Sequence, residues 1–162
     1  MMKRVLVLGC PGSGKSTFSR KLNQKTALPI CYLDRLLWNS DKTTVSRDVF
    51  NQRLAKELQK PTWIMDGNYS FSLPMRLLRC DTIFLLDYPT EVCLNGVRAR
   101  IGKKRPDMPW IEEKEDPEFM NYIQTFKTDK LPKLRATLNR FPNKNQFVFH
   151  SRDEANKFLD RL

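Results

Sequence analysis

From Gly9 to Thr17 the chain reads GCPGSGKST, fitting the pattern G-x-x-x-x-G-K-[ST] with Gly9, Gly14, Lys15 and Ser16 in the fixed places. These residue types suit a bound phosphate chain. Glycines let the backbone curl so that successive N–H groups point into one concavity, which binds anions. Gly9, Pro11, Gly12, Ser13, Gly14, Lys15, Ser16 and Thr17 therefore form the expected cradle. Lys15 is placed to reach the β- and γ-phosphates of ATP, and the Ser16 hydroxyl to ligand Mg²⁺.

Three aspartates are the next candidates, each at the end of an expected strand: Asp34, Asp66 and Asp87. Asp34 is suited to accept a substrate hydroxyl's proton or to orient the substrate, with Arg35 beside it to hold an acidic group. Asp66 opens an Asp-Gly turn, where Gly67 permits close backbone approach to a ligand, and Asn68 and Tyr69 are placed to hydrogen-bond or stack on an acceptor. Asp87 is the candidate for a second, water-mediated Mg²⁺ contact, with Asp66 competing for that role. Arg98, Arg100, Lys103, Lys104 and Arg105 put five cations into eight residues. Phosphoryl transfer needs cations around the moving charge, and the planar guanidinium binds two oxygens at once. Arg100 and Arg105 are therefore favoured, and the lysines are read as solvated. His150, the only histidine, is assigned to packing, as is Trp63; Trp38 and Trp110 are candidates for stacking on a base.

The elements that must position these groups follow from periodicity. Lys3–Leu8 reads as a buried strand before the glycine loop, and Ser16–Gln24 as the helix after it, the context that the loop requires. Further strands are expected at 29–33, 62–65, 82–86 and 146–149. Phe50, Leu54 and Leu58 recur at helical spacing behind a Ser46 cap. A short helix is expected from Leu73, and one from Thr90 to Ile101. Residues 103–115 (KKRPDMPWIEEKE) show no period and read as a loop or mobile lid, the basic lid region extending over about 100–128. The acidic run 112–118 is read as a solvated face. Helices are expected from Asp116 and over Leu131–Phe141, and Ser151–Glu154 reads as a capping box opening the last helix. Strands alternating with helices argue an α/β fold with a parallel sheet covered on both faces, its ligands beyond the strand C-terminal ends.

Composition narrows the function. With 162 residues, 40% of them hydrophobic, the chain is expected to form a single domain, 1–162. No apolar run is long enough to span a membrane, and a strand beginning almost at Met1 leaves no room for a targeting segment. Four scattered cysteines argue against a disulfide framework and for reduced thiols in a cytoplasmic protein. A formal charge of +11 implies polyanionic partners: nucleotides, nucleic acid, or both.

On GCPGSGKST at 9–17, LDRLLW at 33–38, WIMDGNY at 63–69 and TIFLLDYP with the arginine-bearing helix after it, the chain resembles the adenylate-kinase-related P-loop proteins of the DNA topology-modulation (FlaR-type) family. The resemblance covers nearly the whole length. It implies a three-layer P-loop NTPase fold, nucleoside/nucleotide-kinase-like, with a five-stranded parallel sheet of order 2-3-1-4-5, ATP and Mg²⁺ as ligands, and a closing lid. Similar kinases carry two arginines four residues apart after the fourth strand; here the second matches Arg100 and the first falls on Gly96. The Phe-Pro-Arg that follows the Asp-Gly turn of adenylate kinases is absent, and Arg76 is the candidate to supply that guanidinium. The first functional expectation is a small-molecule or nucleotide kinase with Lys15, Ser16 and Arg100 stabilising charge. The second is an ATP-binding, nucleic-acid-associated module that modulates DNA topology. No guanine-recognition N-K-x-D is present, and no DNA-reading motif is visible. The acceptor and the oligomeric state are left open.

Overall fold

In the computed structural model, which describes residues 1–162, a five-stranded parallel sheet carries the glycine loop on its middle strand. The strands are β1 (Arg4–Gly9), β2 (Ile30–Tyr32), β3 (Trp63–Asp66), β4 (Thr82–Leu86) and β5 (Asn145–Phe149). Their order is β2-β3-β1-β4-β5 and every pairing is parallel. The helices are α1 (Lys15–Thr26), α2 (Leu33–Leu37), α3 (Arg47–Leu58), α4 (Leu73–Leu77), α5 (Thr90–Arg100), α6 (Pro117–Asp129), α7 (Leu131–Asn139) and α8 (Arg152–Asp160). This is the expected α/β architecture and strand order. No helix is long and apolar enough to cross a membrane.

Continuous apolar runs build the inner strands: Val5–Leu8, Ile64, Met65 and Ile83–Leu86 are all essentially inaccessible, as strands buried on both faces must be. Phe18 on α1 packs its ring against Phe84 of β4 at 5.0 Å, and Phe158 of α8 meets Phe84 at 5.3 Å. Those contacts seat the helix that follows the glycine loop. The edge strand β5 departs from the expectation of full cover. It lies at the sheet edge, and its Phe147 and Val148 stay partly exposed.

Two local readings differ from the expected elements. Asp34, expected at the end of the second strand, lies in the first turn of α2, because β2 stops at Tyr32 and LDRLL forms a short helix directly after it. The segment between α5 and α6 has no regular structure, as expected, yet its acidic run is not merely solvated. Glu112 accepts from Arg105 at 2.9 Å and lies 3.0 Å from Arg100, Glu115 pairs with Arg98 at 2.9 Å, and the Gly102 N–H donates to the Glu112 carbonyl at 2.6 Å. Opposite charges seven to seventeen residues apart along the chain therefore fold the segment back on itself beside the cleft.

Candidate active site

β1 is the middle strand, so its C-terminal end opens between the ends of β3 and β4. That is where the glycine loop lies. Gly14 takes a left-handed conformation (φ 97) as the N-cap of α1, and no side chain caps that helix. The first-turn N–H groups are thus free to meet an anion, reinforced by the helix dipole. The Lys15 ammonium folds back onto the carbonyls of Gly9 (3.1 Å) and Cys10 (3.3 Å). The Ser16 hydroxyl accepts from Arg20 at 2.7 Å. Pro11 to Thr17 all line one cleft of about 1900 Å³. Gly9 lies behind it, under Asn68.

The departure at Gly96 has a steric cause. A Cβ there would lie 2.0 Å from the Gly12 carbonyl oxygen, and a Cβ on Gly12 would lie 2.1 Å from the Cys93 carbonyl oxygen. Helix α5 therefore packs backbone against backbone on the glycine loop. An arginine cannot stand at Gly96, and the position is a packing site in this protein.

The turn after β3 faces the loop. Arg76, fully buried, donates to the carbonyls of Gly67 (3.0 Å), Asn68 and Tyr69 (3.2 Å) and to the Ser72 hydroxyl (3.2 Å). Burial holds its pKa down at about 9. Arg76 thus braces the Asp-Gly-Asn-Tyr turn from behind, and its guanidinium is not available to a substrate. Tyr69 is held at φ 33, a strained conformation for a non-glycine residue, and its hydroxyl donates to Asp34 Oδ1. Asn68 is likewise engaged, in two hydrogen bonds with the Gly9 backbone.

Asp34 and Asp66 come together here. Burial raises the Asp34 carboxyl above its usual range, against the hydrogen bond from Tyr69 and the charge of Lys15, both of which lower it. Burial pushes Asp66 up to about 7; Lys15 opposes that shift, and Asp34 and Asp107 add to it. Arg100 and Arg105 reach the same cleft from the other side, and burial followed by the Arg105 charge lowers the Arg100 pKa.

Two expected site residues lie elsewhere. Asp87 does not line the cleft: it pairs with Arg135 at 2.6 Å and Lys127 at 3.7 Å, from α7 and α6, and His150 stands 3.6 Å away. The side chain leaves β4 toward those helices, so Asp87 is a structural anion and not the metal contact expected for it. His150 is correspondingly exposed beside Asp87 and not packed. Arg35 donates to the Pro106 carbonyl, tying α2 to the segment between α5 and α6, and does not line the cleft.

The lining residues not singled out in the sequence include four charged ones that bear on the site: Arg20, Asp107, Glu112 and Arg152. Arg152 stands nearest to the space that a side chain on Gly14 would enter. It follows β5, so the strand-end rule pointed to it, but the capping box around it (Ser151 accepting from the Glu154 N–H at 3.2 Å) supplied a sufficient structural reason.

No protein-family model matches the sequence, and no curated protein sequence matches it significantly. Solved structures do share the fold. The crystal structure of shikimate kinase from Bacteroides thetaiotaomicron superimposes with a TM-score of 0.62 at 18% identity, covering 99% of this chain and 96% of that one. An unliganded sugar kinase from Janibacter sp. HTCC2649 gives 0.55 at 15% identity, covering 99% and 92%. The chain has a P-loop kinase-like fold.

Proposed function

We propose that this protein is an ATP-dependent kinase that transfers the γ-phosphoryl group of ATP to a hydroxyl of a small molecule. The observation that carries the reading is the meeting of Lys15, in an uncapped glycine loop, with two buried carboxyl groups of raised pKa, Asp34 and Asp66. The donor set suits the nucleotide. Free amides at the start of α1, the Lys15 ammonium and the Arg152 guanidinium would hold the phosphates. Ser16 and Asp66 would hold Mg²⁺, which when bound would neutralise charge between the β- and γ-phosphates.

Asp34 takes the acceptor's proton as the hydroxyl oxygen bonds to the γ-phosphorus and the bond to the ADP oxygen breaks. Its raised pKa makes it a stronger base than an ordinary carboxylate. Tyr69 fixes the orientation of Asp34 through its hydroxyl. Lys15 and Arg100 stabilise the charge spread over the transferring group, and Arg105 does so once its acidic partners release it. Most of the catalysis is placement and electrostatics.

The test is ADP release from ATP and Mg²⁺ across small hydroxyl compounds, with mass detection of a phosphorylated product and Lys15→Ala as control. Product made by the native protein and lost in the variant is the expected result. ADP release stimulated by DNA alone and fading with salt would instead favour an ATP-dependent nucleic-acid module.

A further inference from the structure

The inner end of the cleft also limits what the acceptor can be, on the premise that the protein is the kinase just proposed. Among the many charged groups that line the cleft, Lys15, Arg100 and Arg105 are the cations that act on Asp34, with Arg20 acting on Asp66, and around them stand the carboxyl groups of Asp34, Asp66, Asp107 and Glu112. Arg105 lies 3.3 Å from Asp107 and 2.9 Å from Glu112, and Arg100 lies 3.0 Å from the same Glu112 oxygen. Lys15 belongs to the glycine loop. No cation beside Asp34 is left over, so an acceptor carboxylate or phosphate would meet like charge and have to break existing pairs.

The remaining wall is aromatic. Trp38 and Trp110 meet edge to face at 5.4 Å, Tyr69 and Phe71 at 6.2 Å, and all four line the cleft. The Trp110 indole N–H is buried and has no hydrogen-bond partner. A buried donor left unpaired is costly unless a ligand atom completes it. The Lys42 ammonium stands over the Trp110 ring, 5.4 Å from its centre.

We infer that the acceptor is an uncharged alcohol carrying a planar ring, the chemical class to which nucleosides belong, and that Trp38 and Trp110 select it. The ring packs on the tryptophan corner, a neutral ring oxygen or nitrogen accepts from Trp110, and the hydroxyl reaches Asp34.

Matched pairs test this. Nucleosides and hydroxymethyl-substituted heteroaromatic rings are each compared with their own monophosphate or carboxylate, with glycerol and glucose as alcohols lacking a planar ring. Phosphorylated product is measured by mass, and binding in the presence of ADP and Mg²⁺ by tryptophan fluorescence. The neutral ring member should exceed its charged partner about tenfold or more in kcat/KM, the scale of one unmatched buried charge or more. Trp110→Leu should raise KM for that member with kcat little changed, and Trp110→Phe, which keeps the ring, should recover part of the loss. Preference for the charged members, or equal use of glycerol or glucose, would overturn the inference and leave the kinase intact. Planar alcohols that bind without any member being phosphorylated would uphold the class and overturn the kinase. Planar alcohols neither bound nor phosphorylated would overturn the class.

Discussion

Asn68 and Gly9 hold each other through two hydrogen bonds: the Asn68 side-chain amide donates to the Gly9 carbonyl at 2.6 Å, and the Gly9 N–H donates to Asn68 Oδ1 at 3.1 Å. The pair joins the turn after β3 to the root of the glycine loop. Because Lys15 also rests on the Gly9 carbonyl, the acceptor side and the phosphate side of the cleft share one backbone unit.

Asn68→Ala should therefore damage both sides. Leaving the Gly9 groups unpaired costs about 1–3 kcal/mol, readable as a lower urea midpoint. ATP affinity measured by calorimetry should fall about tenfold, since the loop loses its anchor. Unchanged ATP affinity would show that the seam does not position the loop.

Gly96→Ala introduces a methyl group 2.0 Å from the Gly12 carbonyl oxygen. Either α5 or the glycine loop must move, at a cost of about 1–3 kcal/mol. Denaturant unfolding should register that loss, and ATP binding should weaken with it. A variant as stable and as ATP-competent as the native chain would contradict the close approach.

The buried acids set a pH dependence. Asp66 is raised from 3.8 to about 7 in the folded protein, so between those values the folded state binds more protons than the unfolded one. Stability contributed by this group is present at low pH and is lost as pH rises toward 7. Asp34 acts in the same direction. Asp66→Asn should match the native protein at or below about pH 4 and gain on it as pH rises from there to about 7, exceeding its stability near pH 8 by more than about 1 kcal/mol, the worth of less than one pKa unit. Parallel pH profiles for the two proteins would rule out the raised carboxyl.

Glu112 occupies the arginines that a phosphate chain would recruit. Glu112→Gln removes that competitor, and ATP affinity should rise about 3- to 10-fold, the scale of one or two charge-assisted hydrogen bonds partly offset by looser lid contacts. Weaker binding in this variant would mean that the carboxylate serves to position Arg100 and Arg105.

Asp34→Asn should lower the acceptor-dependent rate by about 10²–10⁴, the usual contribution of a general base, while ATP affinity changes little. Pre-steady-state product formation separates this from an effect on product release. A rate within about twofold of native would move the proton acceptor elsewhere.

The glycine loop was legible because its chemistry lies within nine consecutive residues and depends on local backbone shape. The Asp-Gly turn and the strand order followed from the resemblance and from apolar runs. Roles that depend on distant partners were not legible. Asp87 reads as a metal contact by its strand end, and its fate was decided by Arg135, 48 residues away. Arg76 reads as a substrate guanidinium, yet four residues of its own turn take four of its five N–H donors. Glu112 and Asp107 sit in a run without periodicity, where sequence offers charge but no direction. Gly96 looked like a missing arginine because spacing alone cannot show that another backbone passes within van der Waals reach.

That contact between Gly12 and Gly96 divides the molecule by its response to solution conditions. Up to Arg100, helix α5 is fixed to the phosphate loop by neutral backbone packing, which ions do not screen. Past Gly102, which sits at φ 76 with open space where a side chain would point, the covering segment is held largely by ion pairs between arginines and glutamates. Some of those pairs are half-exposed, as Arg98 and Glu115 are, and weaken as ionic strength rises. Salt therefore acts as a selective solvent for the cover alone: it loosens the entrance while the floor of the cleft keeps its shape.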